Sequence, residues 1–217
     1  MTRISDSTPG SINLSQGFPD FDPPKEILEA LKKNAEGGPQ HQYSITFGAE
    51  NIRKCGAEKY SPLFGREIDP DKEVVITCGS TEAMMASMMT VCNPGDNVIV
   101  FSPFYENYGA DAILSGANPI YVDLVPPAFS FDKEKLEEAF KNNVKAIIVC
   151  NPSNPCGKVF TKKELEFIVG LAVKYDAFVI TDEVYEHIIF APHEHTYCAS
   201  LPSAWGRVIT CNSLSKT

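Results

Sequence analysis

The sequence lacks a long apolar run: nothing in its 217 residues approaches the roughly 18 uninterrupted apolar residues that cross a bilayer. Its opening residues, MTRISDSTPGSINLSQG, lack the apolar centre of a secretory signal. Both absences lead to the expectation of a cytoplasmic chain with no membrane partner. Positive charge is scarce as well. Lys and Arg total 19 against 28 Asp and Glu, a net charge of −9, with a pI near 5.0. That balance disfavours a surface that tracks nucleic-acid phosphates and points to small substrates or protein partners. The seven cysteines include no CxxC pair, and Cys78, Cys92, Cys150 and Cys211 sit in apolar runs, as reduced thiols do. No GKS or GKT closes a glycine loop and no GxGxxG occurs, which excludes the Walker loop and the dinucleotide-binding fingerprint. No internal repeat, low-complexity tract or flexible linker is present. What remains, 43% hydrophobic and 22% charged, is globular chemistry with enough apolar material for one core, so a wholly disordered chain is excluded.

From about Lys72 onward, short β-branched runs alternate with helical patterns, which predicts an α/β fold with a mostly parallel sheet and helices covering it. The strand candidates are Glu73–Thr77, Asn97–Phe101, Pro119–Leu124, Lys145–Asn151, Ala177–Asp182 and Arg207–Asn212. Near-continuous apolar runs such as AIIVC and AFVIT suit strands buried on both faces. Thr161 and Glu164 have the spacing of a capping box, and Leu165, Ile168, Ala172 and Tyr175 then recur at helical intervals, which predicts a helix over Thr161–Tyr175. A second helix should open near Asp132 and pair Leu136 with Phe140, and a third should follow CGST. Met84, Met85, Met88 and Met89 on that third helix read as core filling. Turns are marked by NPGDN at 93–97 and VPPA at 125–128. The first seventy residues read as an arm, with a polar start, the loop QGFPDFDPP, a helix over Lys25–Ala35 and then GGPQHQYSITFG.

Three polar clusters follow strands, where open α/β sheets place ligands. In CGSTEA, the amides of a helix start and the hydroxyls of Ser80 and Thr81 can cradle a phosphate without basic side chains, although an ordinary helix cap has the same composition. In NPSNPCGK, two prolines and a glycine hold an irregular turn that presents Asn154; asparagine also occurs in turns for purely local reasons. In TDEVYEH, strand alternation sends Asp182 and Glu183 to opposite faces, so the two are not a paired acid and base. A carboxylate at the end of a buried strand is costly unless paired. Its partner could be a protonated pyridine nitrogen of a cofactor or simply a lysine or arginine. The chain ends at NSLSKT, where Lys216 by itself reads as a solvated lysine.

Taken together, QGFPDFDPP, YSITFG, GSTEA, SPFYENY, NPSNPCGK, TDEVY and SLSK stand in the order and approximate spacing of the fold type I, pyridoxal-phosphate-dependent aminotransferases of class I/II, and the chain resembles that family from about Ile12 to its end. LSQGFPDF and QYSITFG resemble most the kynurenine, glutamine and methionine aminotransferase branch. The resemblance implies a partial large domain over 45–217 that binds pyridoxal 5'-phosphate, preceded by an arm and substrate-side loop over 1–44. It makes Lys216 the lysine that bonds covalently to the cofactor and later moves the substrate α-proton. A buried setting suits that task, because desolvation lowers a lysine pKa. It makes Asp182 the partner of the pyridinium nitrogen, Asn154 and Tyr185 hydrogen-bond donors to the cofactor's phenolic oxygen, and Tyr105 the aromatic that stacks on the ring. Ser80, Thr81 and Ser213 become phosphate contacts. Gly17, with Asn154, falls on the substrate side, and Tyr43 matches a tyrosine that reaches the phosphate in the partner subunit of a homodimer.

The implied reaction exchanges an amino group between an amino acid and a 2-oxo acid. Cys156 stands where the family usually has threonine or leucine, a change expected to touch packing. Family members continue well beyond the lysine, supplying a further basic phosphate ligand and an arginine that clamps the substrate carboxylate. On that ground the chain is expected to be a truncated form with weak or no turnover of its own. Two other readings stay open: a pyridoxal-phosphate-dependent carbon-sulfur lyase on the same scaffold, and a noncatalytic form that binds a full-length relative. His187, His193, His195 and Cys198 superficially offer zinc ligands, but their spacing matches no standard pair of chelating hooks, and no metal is expected.

Overall fold

The computed structural model describes residues 1–14, 17 and 20–216. By internal contacts the chain divides into two units, Met1–Ser44 and Ile45–Thr217. The first carries α1 (Thr2–Asp6) and α2 (Lys25–Ala35), neither of which contains a buried residue. The apolar side chains Ile27, Leu28 and Leu31 of α2 are exposed.

The second unit is built on a sheet of six strands in the order β3-β2-β1-β4-β5-β6. These are β1 (Asn97–Ser102), β2 (Asn118–Val125), β3 (Ser130–Phe131), β4 (Val144–Cys150), β5 (Phe178–Asp182) and β6 (Val208–Cys211). All neighbours are parallel except β2 and β3, where Leu124 opposes Phe131 across a short antiparallel edge. The helices of this unit are α3 (Glu50–Phe64), α4 (Gly79–Val91), α5 (Asn107–Leu114), α6 (Lys133–Phe140) and α7 (Lys162–Lys174).

Strand alternation divides the core into two layers. Ile99, Phe101, Ile147, Val149 and Val179 pack with Leu136 and Phe140 of α6 and with Leu165, Ile168 and Ala172 of α7. On the other face, Val98, Val100, Ala146, Ile148 and Ile180 pack with Met84 and Met88 of α4 and Tyr108 and Ala112 of α5. Burial of both faces explains why these strands read as continuous apolar runs. The capping box of α7 is formed: the Thr161 hydroxyl accepts the Glu164 amide at 3.3 Å, and Glu164 Oε2 accepts the Thr161 amide at 2.8 Å.

Two expectations are corrected here. Residues 73–77 do not form a strand; they run beside no ladder, and a backbone bond from the Ile76 amide to the Phe47 carbonyl, 2.9 Å, is what anchors them. A strand exists only where a neighbour satisfies alternate N–H and C=O groups. The arm is also shorter than the first seventy residues. α3 belongs to the second unit, where it buries Ala57 and Arg53. Arg53 is held by the carbonyls of Gly48 and Pro70 and by Asp71.

Candidate active site

The strand order reverses between β1 and β4, because the chain leaves β1 for β2 on one side and returns to β4 on the other. Ligands of open α/β sheets bind in the crevice beyond the carboxyl ends at such a reversal. The segment after β1 supplies Tyr105, the segment after β4 supplies Asn154, and Asp182 closes β5.

Asp182 is buried, 5% exposed. Its Oδ2 accepts the Tyr108 hydroxyl at 2.8 Å and its Oδ1 the Val184 amide at 3.3 Å. Burial raises its pKa above the ordinary carboxylate value, and the hydrogen bonds from Tyr108 and Val184 only partly oppose that shift. Among the described residues no lysine, arginine or histidine forms an ion pair with it. Glu183 faces the other way, as alternation requires, and accepts from His195 Nε2 at 3.2 Å and the Cys198 amide at 3.3 Å.

Ser80, Thr81, Tyr105, Tyr108, Asp111 and Asp182 line one depression with about 170 Å³ of empty space. Ser80 and Thr81 open α4, whose first residues receive no side-chain cap; the Glu82 carboxylate instead folds back onto the Cys78 amide. The Gly79 amide donates to the Thr77 carbonyl at 2.8 Å, so the amides of Ser80 and Thr81 are the ones placed for a phosphate at the start of this 13-residue helix. Tyr105 sets its ring edge-on to Tyr108, centroids 5.8 Å apart.

A neighbouring cavity of about 240 Å³ is lined by Tyr108, Cys150, Ser153 and Asn154, with Phe104 among its apolar walls. The turn that presents Asn154 is tied internally, Ser153 donating to the Lys158 carbonyl and Gly157 to the Ser153 carbonyl, each at 2.8 Å. Asn151 Oδ1 pins its far end by accepting the Phe160 amide at 2.9 Å. The asparagines thus divide the work: Asn151 shapes the turn and Asn154 lies beside Tyr185. Burial raises the Tyr185 pKa, the nearby Cys150 and Asp182 add to it, and the bond to Asn154 draws it back. Cys156 packs against the apolar layer next to α7 and donates to the Ser153 hydroxyl.

Lys216 differs from the buried setting expected of it: it is exposed, as are Leu214 and Ser215 before it. β6 ends at Cys211, so the segment that follows has left the sheet. Ser213 is half-buried in that segment. Gly17 and Tyr43 lie in the first unit, both exposed. Residues missed from sequence are Tyr108 and Asp111. Tyr108 was legible in principle, three positions after Tyr105 in SPFYENY at the opening of a helix. Asp111 Oδ2 is buried without a hydrogen-bond partner, and burial raises the carboxyl's pKa. Among the described residues no group of three or more His, Cys, Asp or Glu is arranged to hold a metal ion.

A crevice with an anion-binding helix start at one end and a buried carboxylate lacking a cation beside it suits a phosphorylated aromatic ring that carries a protonated nitrogen. Fold and crevice together are those of an open α/β protein shaped to hold such a group. The chain belongs to the class I and II aminotransferases, whose family pattern it matches over residues 9–217, and pyridoxal phosphate is that family's cofactor. It is 37% identical over 219 aligned positions to kynurenine–oxoglutarate transaminase 3 of Mus musculus, covering 96% of this chain and 48% of that protein. Among solved structures, N-succinyldiaminopimelate aminotransferase from Mycobacterium tuberculosis superposes with a TM-score of 0.90 at 37% identity, covering 99% of this chain and 55% of the other. Aspartate aminotransferase from Thermus thermophilus with maleate gives 0.86 at 31% identity, covering 94% and 52%. The chain spans about half the length of the relatives it matches.

Proposed function

We propose that this chain provides the pyridoxal-phosphate-binding portion of an enzyme that exchanges an amino group between an amino acid and a 2-oxo acid. The observation that carries the reading is Asp182, a buried carboxylate with neutral partners at the mouth of the switch-point crevice. A buried acid is stabilised once a cation faces it, and a pyridinium nitrogen is that cation. The first-turn amides of α4, with the hydroxyls of Ser80, Thr81 and Ser213, hold the phosphate. Tyr185 and Asn154 donate to the phenolic oxygen, and Tyr105 lies against the ring. Pyridoxal phosphate supplies a ring that accepts the electron pair released when the substrate α-proton leaves. Asp182 would hold the proton on the ring nitrogen, and Lys216 would be the amine that attaches the cofactor and the base for the α-proton. By family resemblance, Asn154 and, in the first unit, Gly17 are each assigned to the substrate, and Tyr43 to the phosphate of a partner subunit in a homodimer. A cytoplasmic setting is supported by the seven free cysteines, four of them buried. No helix among the described residues is long and apolar enough to cross a membrane.

The test is to mix the protein with pyridoxal phosphate, reduce with borohydride and map the label by mass spectrometry. Label concentrated on Lys216, and lost from that peptide in Lys216→Ala, is the expected result. Label spread evenly over the surface lysines overturns the reading.

A further inference from the structure

The segment after β5 buries two further carboxylates, Glu183 and Glu186, and the chemistry above uses neither. Glu186 is 4% exposed. Its Oε1 accepts Lys59 Nζ at 2.6 Å and the Tyr60 hydroxyl at 3.0 Å, both from α3. Tyr197 and the exposed His187 lie beside it. The connection does not stop at Tyr60. The phenol oxygen accepts Asn212 Nδ2 at 2.8 Å, and Asn212 Oδ1 accepts the Ser213 amide at 2.8 Å. The Ser213 hydroxyl then shares a 2.7 Å hydrogen bond with the Ser215 hydroxyl and accepts the Ser215 amide at 3.2 Å. Hydrogen bonds therefore run from a buried carboxylate, paired with an exposed lysine, to the residue preceding Lys216.

The direction of this relay follows from its buried end. A neutral phenol has one proton to give, and a carboxylate can only accept. Burial, then the charge of Glu186, hold the Tyr60 hydroxyl protonated. Its proton goes to Glu186, so its oxygen is left to accept. Asn212 must present its NH₂ there, which turns its carbonyl onto the Ser213 amide. The last ladder bond of the sheet in this region runs from the Glu183 amide to the Cys211 carbonyl, 2.9 Å. Beyond it, among the described residues, the Ser213 and Ser215 amides are held by the bonds of the relay.

We propose that Glu186, Tyr60 and Asn212 are positioning residues that orient the 213–215 backbone and thereby aim the Lys216 side chain into the crevice. The inference rests on Lys216 being the attachment lysine, and the experiment separates the two. In the borohydride mapping, the label on Lys216 is read as a ratio to the label on Lys133, an exposed lysine at the start of α6, far in sequence from every residue of the relay. Tyr60→Phe keeps the ring and removes only the hydroxyl, and it should lower this ratio by about fivefold, the worth of one hydrogen bond. Glu186→Gln removes the charge that sets the direction and should lower it similarly, and each variant's thermal midpoint is measured alongside. Loosening of the fold alone would shift the midpoint and leave the ratio. A drop in the ratio in either variant supports the proposal. An unchanged ratio in both, with Lys216 labelled in the parent protein, overturns it. Absence of selective Lys216 label in the parent protein overturns the attachment reading and the proposal with it.

Discussion

Asp182 shows how a functional group can weigh against the stability of the protein that bears it. Its carboxyl is held above the ordinary value of 3.8, so the folded chain binds this proton more tightly than the unfolded chain does. Its contribution to stability is then greatest below the ordinary value and declines as pH rises through the window up to the raised one. Asp182→Asn keeps the shape and removes the charge. Without cofactor, the variant should be more stable than the parent at neutral pH by about 1 kcal/mol, while binding pyridoxal phosphate more weakly. Urea titrations with and without cofactor check both signs; a variant destabilised in both states would contradict the account. Glu186 has the opposite character. Burial pushes its carboxyl up, but Lys59, Tyr197 and Tyr60 draw it below the ordinary 4.5, so its contribution is present above that value and is lost as pH falls through the lowered pKa. Alternation alone foretold that Asp182 and Glu183 diverge. The Glu186 cluster was invisible from sequence, because Lys59 and Glu186 lie 127 positions apart and no local pattern links them.

Among the elements, legibility followed the locality of the cause. The helix over Lys162–Lys174 announced itself because its cap and its apolar stripe are both local. Thr161→Ala should therefore cost about 1 kcal/mol, measured as a lower urea midpoint with unchanged slope. α3 escaped notice for the converse reason. It contains Gly56 and Pro62, leaves Ile52 and Leu63 exposed and buries a charged Arg53, so it has no apolar stripe to read. α5 was hidden by Gly109 and Asp111; a Cβ at Gly109 would come within 2.8 Å of the Tyr121 hydroxyl, the tip of a half-exposed side chain of β2 that would have to move aside. Residues 73–77 had strand composition and no strand, since pairing depends on a neighbour that composition does not reveal.

At the scale of the whole molecule, the division after Ser44 separates a unit whose helices bury nothing from one built around a doubly covered sheet. Limited proteolysis should cut first in the exposed stretch from 36 to 44, leaving a resistant fragment that begins near Ile45; this is read by mass spectrometry of the early digest. Early cuts within 97–182 instead would contradict the division. The order of the strands also bears on how the chain comes into being. A ribosome delivers β1, α5 and β2 before β4, yet β4 belongs on the free side of β1. Until residue 150 has emerged, the nascent chain presents the flat apolar edge of β1, Val98 to Phe101, with nothing alongside. Such an edge pairs readily with a neighbouring chain. The strand reversal that opens the crevice is thus also the point at which synthesis leaves the protein most vulnerable to aggregation, and slowing translation just before β4 would lengthen that exposure.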